Sequence, residues 1–151
     1  GLMLTSSGPR VLEFNARFGD PETQPILMRM QSDIVPFFEA CIDGTLGKCS
    51  LEWKKESTVC VVMAAKGYPA SYEKGKEIRG LEAAGEQKDV VVFHAGTRAE
   101  GDRFLTSGGR VLGVTALGND TGTAIKNAYS AVEKIDWDGI HYRKDIGKKA
   151  V

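Results

Sequence analysis

Apolar positions along this chain change period several times, and each change marks an element. Leu2 to Thr5 is a short apolar run, Ser6-Ser7-Gly8-Pro9 carries turn chemistry, and Arg10 to Asn15 returns, which predicts a β-hairpin. Gly19-Asp20-Pro21 stops the return strand, and Asp20 before Pro21 fits a helix cap with proline in the first turn. Leu27, Met30, Ile34, Phe37, Phe38 and Cys41 then recur at helical spacing. Pro36 does not belong deep inside a helix. The pattern therefore predicts two successive helices, the second capped by Ser32 or Asp33 and closed by Gly44.

A polar connector, Cys49 to Lys54, leads into the Val-rich run Thr58 to Ala65, a buried strand turned by Lys66-Gly67-Tyr68-Pro69. Glu77 to Arg79 is a short extended piece, and Val90 to His94 is another strand. Arg103 to Thr106 and Arg110 to Leu117 read as two strands joined in a hairpin around Ser107-Gly108-Gly109. Asn119 or Asp120 caps a helix whose apolar stripe is Ile125, Ala128, Tyr129, Val132 and Ile135. Trp137, Tyr142 and Ile146 close the chain. The expected class is α+β. Residues 1–56 form the end of a larger domain, and residues 57–151 form a small mixed-sheet domain with one C-terminal helix. Gly1 starts almost inside a strand, so the polypeptide is expected to extend upstream and supply that hairpin's partner strands.

Charge narrows the functional classes. Twenty basic and twenty acidic side chains give a formal net charge of zero, so there is no electrostatic footprint for nucleic acid or an anionic membrane. No apolar run has the length of a bilayer span, and no basic-then-apolar leader is present. Cys41, Cys49 and Cys60 are odd in number, form no Cys-x-x-Cys pair and lie far from His94 and His141 in sequence. That argues against a zinc site or a disulfide framework and for free, mostly buried thiols in a reducing cytoplasm.

The chemistry-bearing run is Val11-Leu12-Glu13-Phe14-Asn15-Ala16-Arg17. In a strand, Leu12, Phe14 and Ala16 would face a core, and Glu13, Asn15 and Arg17 would share the opposite face. Glu13 and Asn15 offer hard oxygen ligands suited to Mg²⁺. Arg17 adds a planar donor fork for a carboxylate or a developing phosphoryl charge. On spacing alone, three outward polar residues are more often a solvated sheet face.

The sequence from Leu12 to Gln24, with Arg17-Phe18-Gly19-Asp20-Pro21-Glu22 at its centre, resembles the signature of glycinamide ribonucleotide synthetases of the ATP-grasp superfamily. The resemblance continues, in the family's order, through Met63–Pro69, Phe93–Thr97, Gly108–Leu112 and Tyr142–Gly147. It implies that residues 1–56 end an ATP-grasp domain. It implies a ligase that joins 5-phosphoribosylamine to glycine with ATP, through glycyl phosphate. Glu13 and Asn15 then match the ligands of Mg²⁺ or Mn²⁺, and Arg17 matches an arginine facing the acyl phosphate. Asp20 shapes the substrate site or caps the following helix; for Glu22 the helix dipole is favoured. The family's N-terminal domain, its lysine-bearing lid over ATP and a further metal-binding carboxylate lie upstream of these motifs. The 151 residues alone are therefore expected to be inactive.

Other readings stay open on the sequence. One is a different ATP-grasp carboxylate–amine ligase or carboxylase. Another is a non-catalytic packing module, and a third is a segment of a multifunctional purine enzyme. Lys66 reads as an exposed turn lysine, His94 as a buried histidine bonded to backbone, and Arg143 as a surface ion-pair residue, with contact to substrate phosphate as its alternative role.

Overall fold

A computed structural model describes residues 1–151. The chain opens with strands β1 (Leu2–Thr5) and β2 (Gly8–Val11), an antiparallel hairpin in register from Leu2 opposite Val11 to Thr5 opposite Gly8. Helices α1 (Thr23–Arg29) and α2 (Val35–Ile42) follow. Pro36 lies in the first turn of α2; the N-cap position is Ile34, with no side-chain cap bond, and Asp33, expected to cap, accepts from Val35 N–H at 2.9 Å from one residue further out. Gly44 takes φ +66° just past α2, and Thr45 N–H donates back to the Ala40 carbonyl at 2.8 Å, a Schellman closure.

The second half contains β3 (Ser57–Ala65), β4 (Glu77–Ile78), α3 (Leu81–Gly85), β5 (Val90–His94), β6 (Thr97–Glu100), β7 (Arg103–Thr106), β8 (Arg110–Gly118), α4 (Thr121–Val132) and β9 (Ile140–Tyr142). They form a four-stranded sheet in the order β5-β8-β3-β9 and a three-stranded sheet in the order β4-β7-β6, antiparallel at every pairing. The class is α+β. One face of the larger sheet packs on α4. Val59, Val61 and Met63 of β3 join Leu112, Val114 and Ala116 of β8, and they meet Ala124, Ala128 and Val132 of the helix in a continuous core. Alternate positions along each strand supply that face. Asp120 caps α4 by accepting from Thr123 N–H at 2.7 Å, and this bond holds its carboxyl below the usual carboxylate range.

Several expectations are corrected. Strands β7 and β8 do not pair; they belong to different sheets, and Ser107-Gly108-Gly109 is the crossing between them. A Cβ on Gly96 would stand 2.5 Å from Gly108 Cα, so two backbones touch here and glycine serves close approach rather than a hairpin turn. The hairpin is β6–β7, around Gly101 at φ +58°. Strand β2 ends at Val11, short of Asn15. Leu12 and Phe14 do not enter a core; Phe14 is 91% exposed. Cys41 and Cys49 are exposed and only Cys60 is half-buried, so the thiols are free but not mostly buried.

Candidate functional site

The run Leu12–Asn15 leaves the hairpin in an extended path without regular strand pairing. Leu12 N–H donates to the Gly1 carbonyl at 2.9 Å, and the Gly1 amine donates to the Glu13 carbonyl at 2.9 Å. The backbone is thus held as far as Glu13, then bends at Ala16 and Arg17. Glu13, Asn15 and Arg17 are all exposed. Glu13 enters no ion pair, and the Arg17 guanidinium donates only to the neighbouring Phe18 carbonyl, at 2.7 Å. These three polar groups do no work in holding the fold. Glu13 and Asn15 offer two hard oxygen donors open to solvent, a partial set of the kind that Mg²⁺ or Mn²⁺ completes with water and phosphate oxygens. No cluster of three or more His, Cys, Asp or Glu side chains exists to hold a metal by itself.

Of the two roles read for Asp20, substrate site or helix cap, the structure removes the cap. Helix α1 begins at Thr23, with Glu22 at the N-cap position and no side-chain cap bond, so Asp20 does not cap it. The Thr23 hydroxyl and the Thr23 amide both donate to the Gly19 carbonyl, which closes the turn instead. Asp20 turns to the second half of the chain. Its carbonyl accepts from Arg110 Nη1 at 2.9 Å, and its carboxylate lies 3.7 Å from Arg110 Nε.

That contact borders a cavity of about 300 Å³, lined by Pro21, Cys60, Ala64, Tyr68, Arg110 and Arg143 among others. The Arg110 guanidinium stands 6.0 Å from the Tyr68 ring centroid. Burial pushes the Cys60 thiol up; a hydrogen bond with Thr115 opposes this, and the charges of Asp20 and Glu22 add to it. The signature loop therefore rests against the face of the larger sheet opposite α4. Helix α1 lies on the same face: Thr58 Oγ1 donates to the Pro25 carbonyl at 3.2 Å, and the Gln24 side chain lies beside Gly113.

The other singled-out residues sort simply. His94 is exposed, not buried; its Nδ1 pairs with Thr97 Oγ1 at 2.9 Å and its ring lies 4.6 Å from Phe104. Lys66 is an exposed turn residue. Arg143 forms a two-pronged pair with Asp145, at 2.9 and 2.8 Å, and so is spent on a surface ion pair. Sequence reasoning gave no role to Arg110 or Tyr68, although both fall within the quoted motif blocks. Only the pairing of β3 with β8 reveals where Arg110 points.

The model of the family described as "Phosphoribosylglycinamide synthetase, C domain" matches residues 58–149, and that of its "ATP-grasp (A) domain" matches residues 1–23. The chain belongs to the phosphoribosylglycinamide synthetase family. Among curated members, the phosphoribosylamine–glycine ligase of Caldanaerobacter subterraneus is 53% identical over 97% of this chain and 34% of its own length. That of Rhodopirellula baltica is 52% identical over 100% of this chain and 35% of its own. The crystal structure of the Thermotoga maritima phosphoribosylamine–glycine ligase superposes with a TM-score of 0.72 at 36% identity, covering 96% of this chain and 35% of that one. The chain thus spans about a third of the length of the synthetases it matches. The second half, with both sheets and α4, falls within the C-domain match, and Glu13 to Pro21 fall within the ATP-grasp match.

Proposed function

We propose that this chain is the C-terminal part of a phosphoribosylamine–glycine ligase, a cytoplasmic enzyme of purine synthesis. Residues 1–56 would end its ATP-grasp domain, and residues 57–151 would be its C-terminal domain. The observation that carries the reading is the exposed run Glu13-x-Asn15-x-Arg17, unused by the fold, in a chain about half identical to ligases of that name across its whole length.

In the proposed reaction, a glycine carboxylate oxygen attacks the γ-phosphorus of ATP and ADP departs. The amine of 5-phosphoribosylamine then attacks the glycyl carbonyl and phosphate leaves, giving the amide. Both steps move charge onto phosphate oxygens, so positioning and electrostatics supply the rate. Glu13 and Asn15 would hold Mg²⁺ or Mn²⁺, which when bound neutralises charge on the nucleotide phosphates. Arg17 is a permanent cation with a planar fork, fit to steady the acyl phosphate oxygens. Asp20, fixed by Arg110, shapes the substrate side of the same loop. The exposed apolar side chains of the first hairpin and the run after it, including Leu4 at 83% and Phe14 at 91%, would be covered by the remainder of the ATP-grasp domain. The catalytic unit is accordingly the longer protein, and the 151 residues alone are expected to be inactive.

The test is ADP formation by the intact protein, with glycine plus 5-phosphoribosylamine compared against bicarbonate as co-substrate. Turnover only with the first pair supports the reading. Turnover with bicarbonate would place the chain in an ATP-grasp carboxylase, and robust ligase activity from the 151 residues alone would overturn the division of labour.

A further inference from the structure

We propose that Arg110 is a positioning residue that braces the signature loop, Arg17 to Glu22, against the C-terminal sheet. The inference rests on the proposed ligase reading for its functional consequence, but its structural basis is independent of it.

The basis is a β-bulge. Strands β3 and β8 run in regular antiparallel register from Ser57 opposite Gly118 to Met63 opposite Leu112, and then the register shifts so that Ala64 faces Arg110. Val111 is the extra residue, and it drops fully buried into the core. Directly opposed residues share a face of the sheet. Regular pairing would set Val111 opposite Ala64 and send Arg110 to the α4 face. The bulge instead brings Arg110 to the face of Cys60, Val62 and Ala64, and all four line the cavity beside Pro21. A charged side chain is thereby aimed at a loop ninety positions earlier in the chain, where it donates to the Asp20 carbonyl at 2.9 Å.

Two glycines and an aromatic ring prepare the position. Gly96 N–H donates to the Arg110 carbonyl at 2.9 Å, fixing its backbone. A Cβ on Gly109 would stand 2.2 Å from Tyr68 Cδ2, so glycine there lets the tyrosine ring lie beside the guanidinium. The rigid sheet thus holds a donor fork against the loop that carries Arg17 at one end and the start of α1 at the other. Few other contacts fix Arg17, Phe18 and Asp20, which are all exposed. A preorganised loop is what a phosphoryl-transfer site needs, since a displacement of about 1 Å can cost about a hundredfold in rate.

Hydrogen–deuterium exchange on this chain tests the brace directly. In Arg110→Ala, residues 17–24, including the Thr23 amide bound to the Gly19 carbonyl, should exchange about tenfold faster, while β3 and β8 stay as protected as before. Arg110→Lys keeps one charged donor and should recover part of that protection. In the intact ligase, Arg110→Ala should lower kcat about tenfold, leave the KM for ATP within about twofold and be partly rescued by Arg110→Lys. Unchanged exchange over residues 17–24, or an equal loss of protection in β3 and β8, would overturn the brace. So would an Arg110→Ala enzyme with wild-type kcat. An intact wild-type protein without ligase turnover would instead sink the proposed function, and the exchange result would then decide the brace alone.

Discussion

Glu13 and Asn15 end in solvent, and neither supports a neighbouring element. Replacing either by alanine should therefore leave the thermal midpoint unchanged. In the proposed ligase, the same substitutions should cut turnover by about a hundredfold or more, most severely at low Mg²⁺, since each would remove a proposed metal ligand. Steady-state ADP release across a Mg²⁺ series checks this, and near-normal rates at low Mg²⁺ would remove both residues from the metal site. Cys60 offers a second test. Burial and the nearby carboxylates keep its thiol protonated above the ordinary range, whereas Cys41 and Cys49 are exposed. Iodoacetamide near pH 8 should alkylate Cys41 and Cys49 first and Cys60 last, as read by peptide mass spectrometry. Asp120 shows a pH-dependent case. Its hydrogen bond from Thr123 depresses the folded-state pKa, so its stabilisation is complete above the ordinary carboxylate pKa and is lost as pH falls through the depressed value. The midpoint gap between wild type and Asp120→Ala should be full at neutral pH and close in strong acid; a gap constant across that range would refute the cap's ionic character.

Among the elements, those with a strong period were legible and those without one were not. Helix α4 shows its stripe and its cap in the sequence, and β3 and β5 show themselves as bounded apolar runs. Helix α1 was legible as an element, but its start was not, because the turn is closed by Thr23 and the Gly19 carbonyl rather than by the cap-like Asp20. Strand β6, Thr97-Arg98-Ala99-Glu100, is largely exposed and carries almost no apolar signal, so the β6–β7 hairpin stayed hidden while the glycine pair at 108–109 attracted the turn assignment. The expected apolar face of Leu12 and Phe14 has no partner within the chain, so the alternation seen in sequence had nothing to fold against. Glu13, Asn15 and Arg17 were legible as candidate chemistry, but Arg110 was not, since one bulged residue decides its face. Close approach at Gly118 gives this scale its own prediction. A Cβ there would meet the Ala124 amide nitrogen at 2.3 Å, where β8 hands over to α4. Gly118→Ala should cost about 2 kcal/mol by prying the helix from the sheet, measured by urea unfolding. An unchanged midpoint would show that the helix shifts freely.

For the whole molecule, burial is lopsided. Every residue of the continuous core lies between Val59 and Trp137, and Ala40 is the only buried residue before Ser57. Helix α1 and the loop before it touch the larger sheet through polar and partly exposed contacts, such as Thr58 with the Pro25 carbonyl and Arg110 with Asp20. Removing residues 1–56 therefore uncovers one sheet face but takes nothing from the α4 side, where the hydrophobic stabilisation is concentrated. A polypeptide of residues 57–151 should fold by itself and unfold in one cooperative step, with a urea m-value of about 1–2 kcal/mol/M for its size. Trp137 is 1% exposed and is its sole tryptophan, so its fluorescence reports that core directly. Coincident transitions by Trp137 fluorescence and far-ultraviolet circular dichroism are expected. A broad, non-coincident transition, or a Trp137 emission already solvent-shifted without denaturant, would mean that the first 56 residues are needed to complete the core and that the division at Ser57 is not a domain boundary.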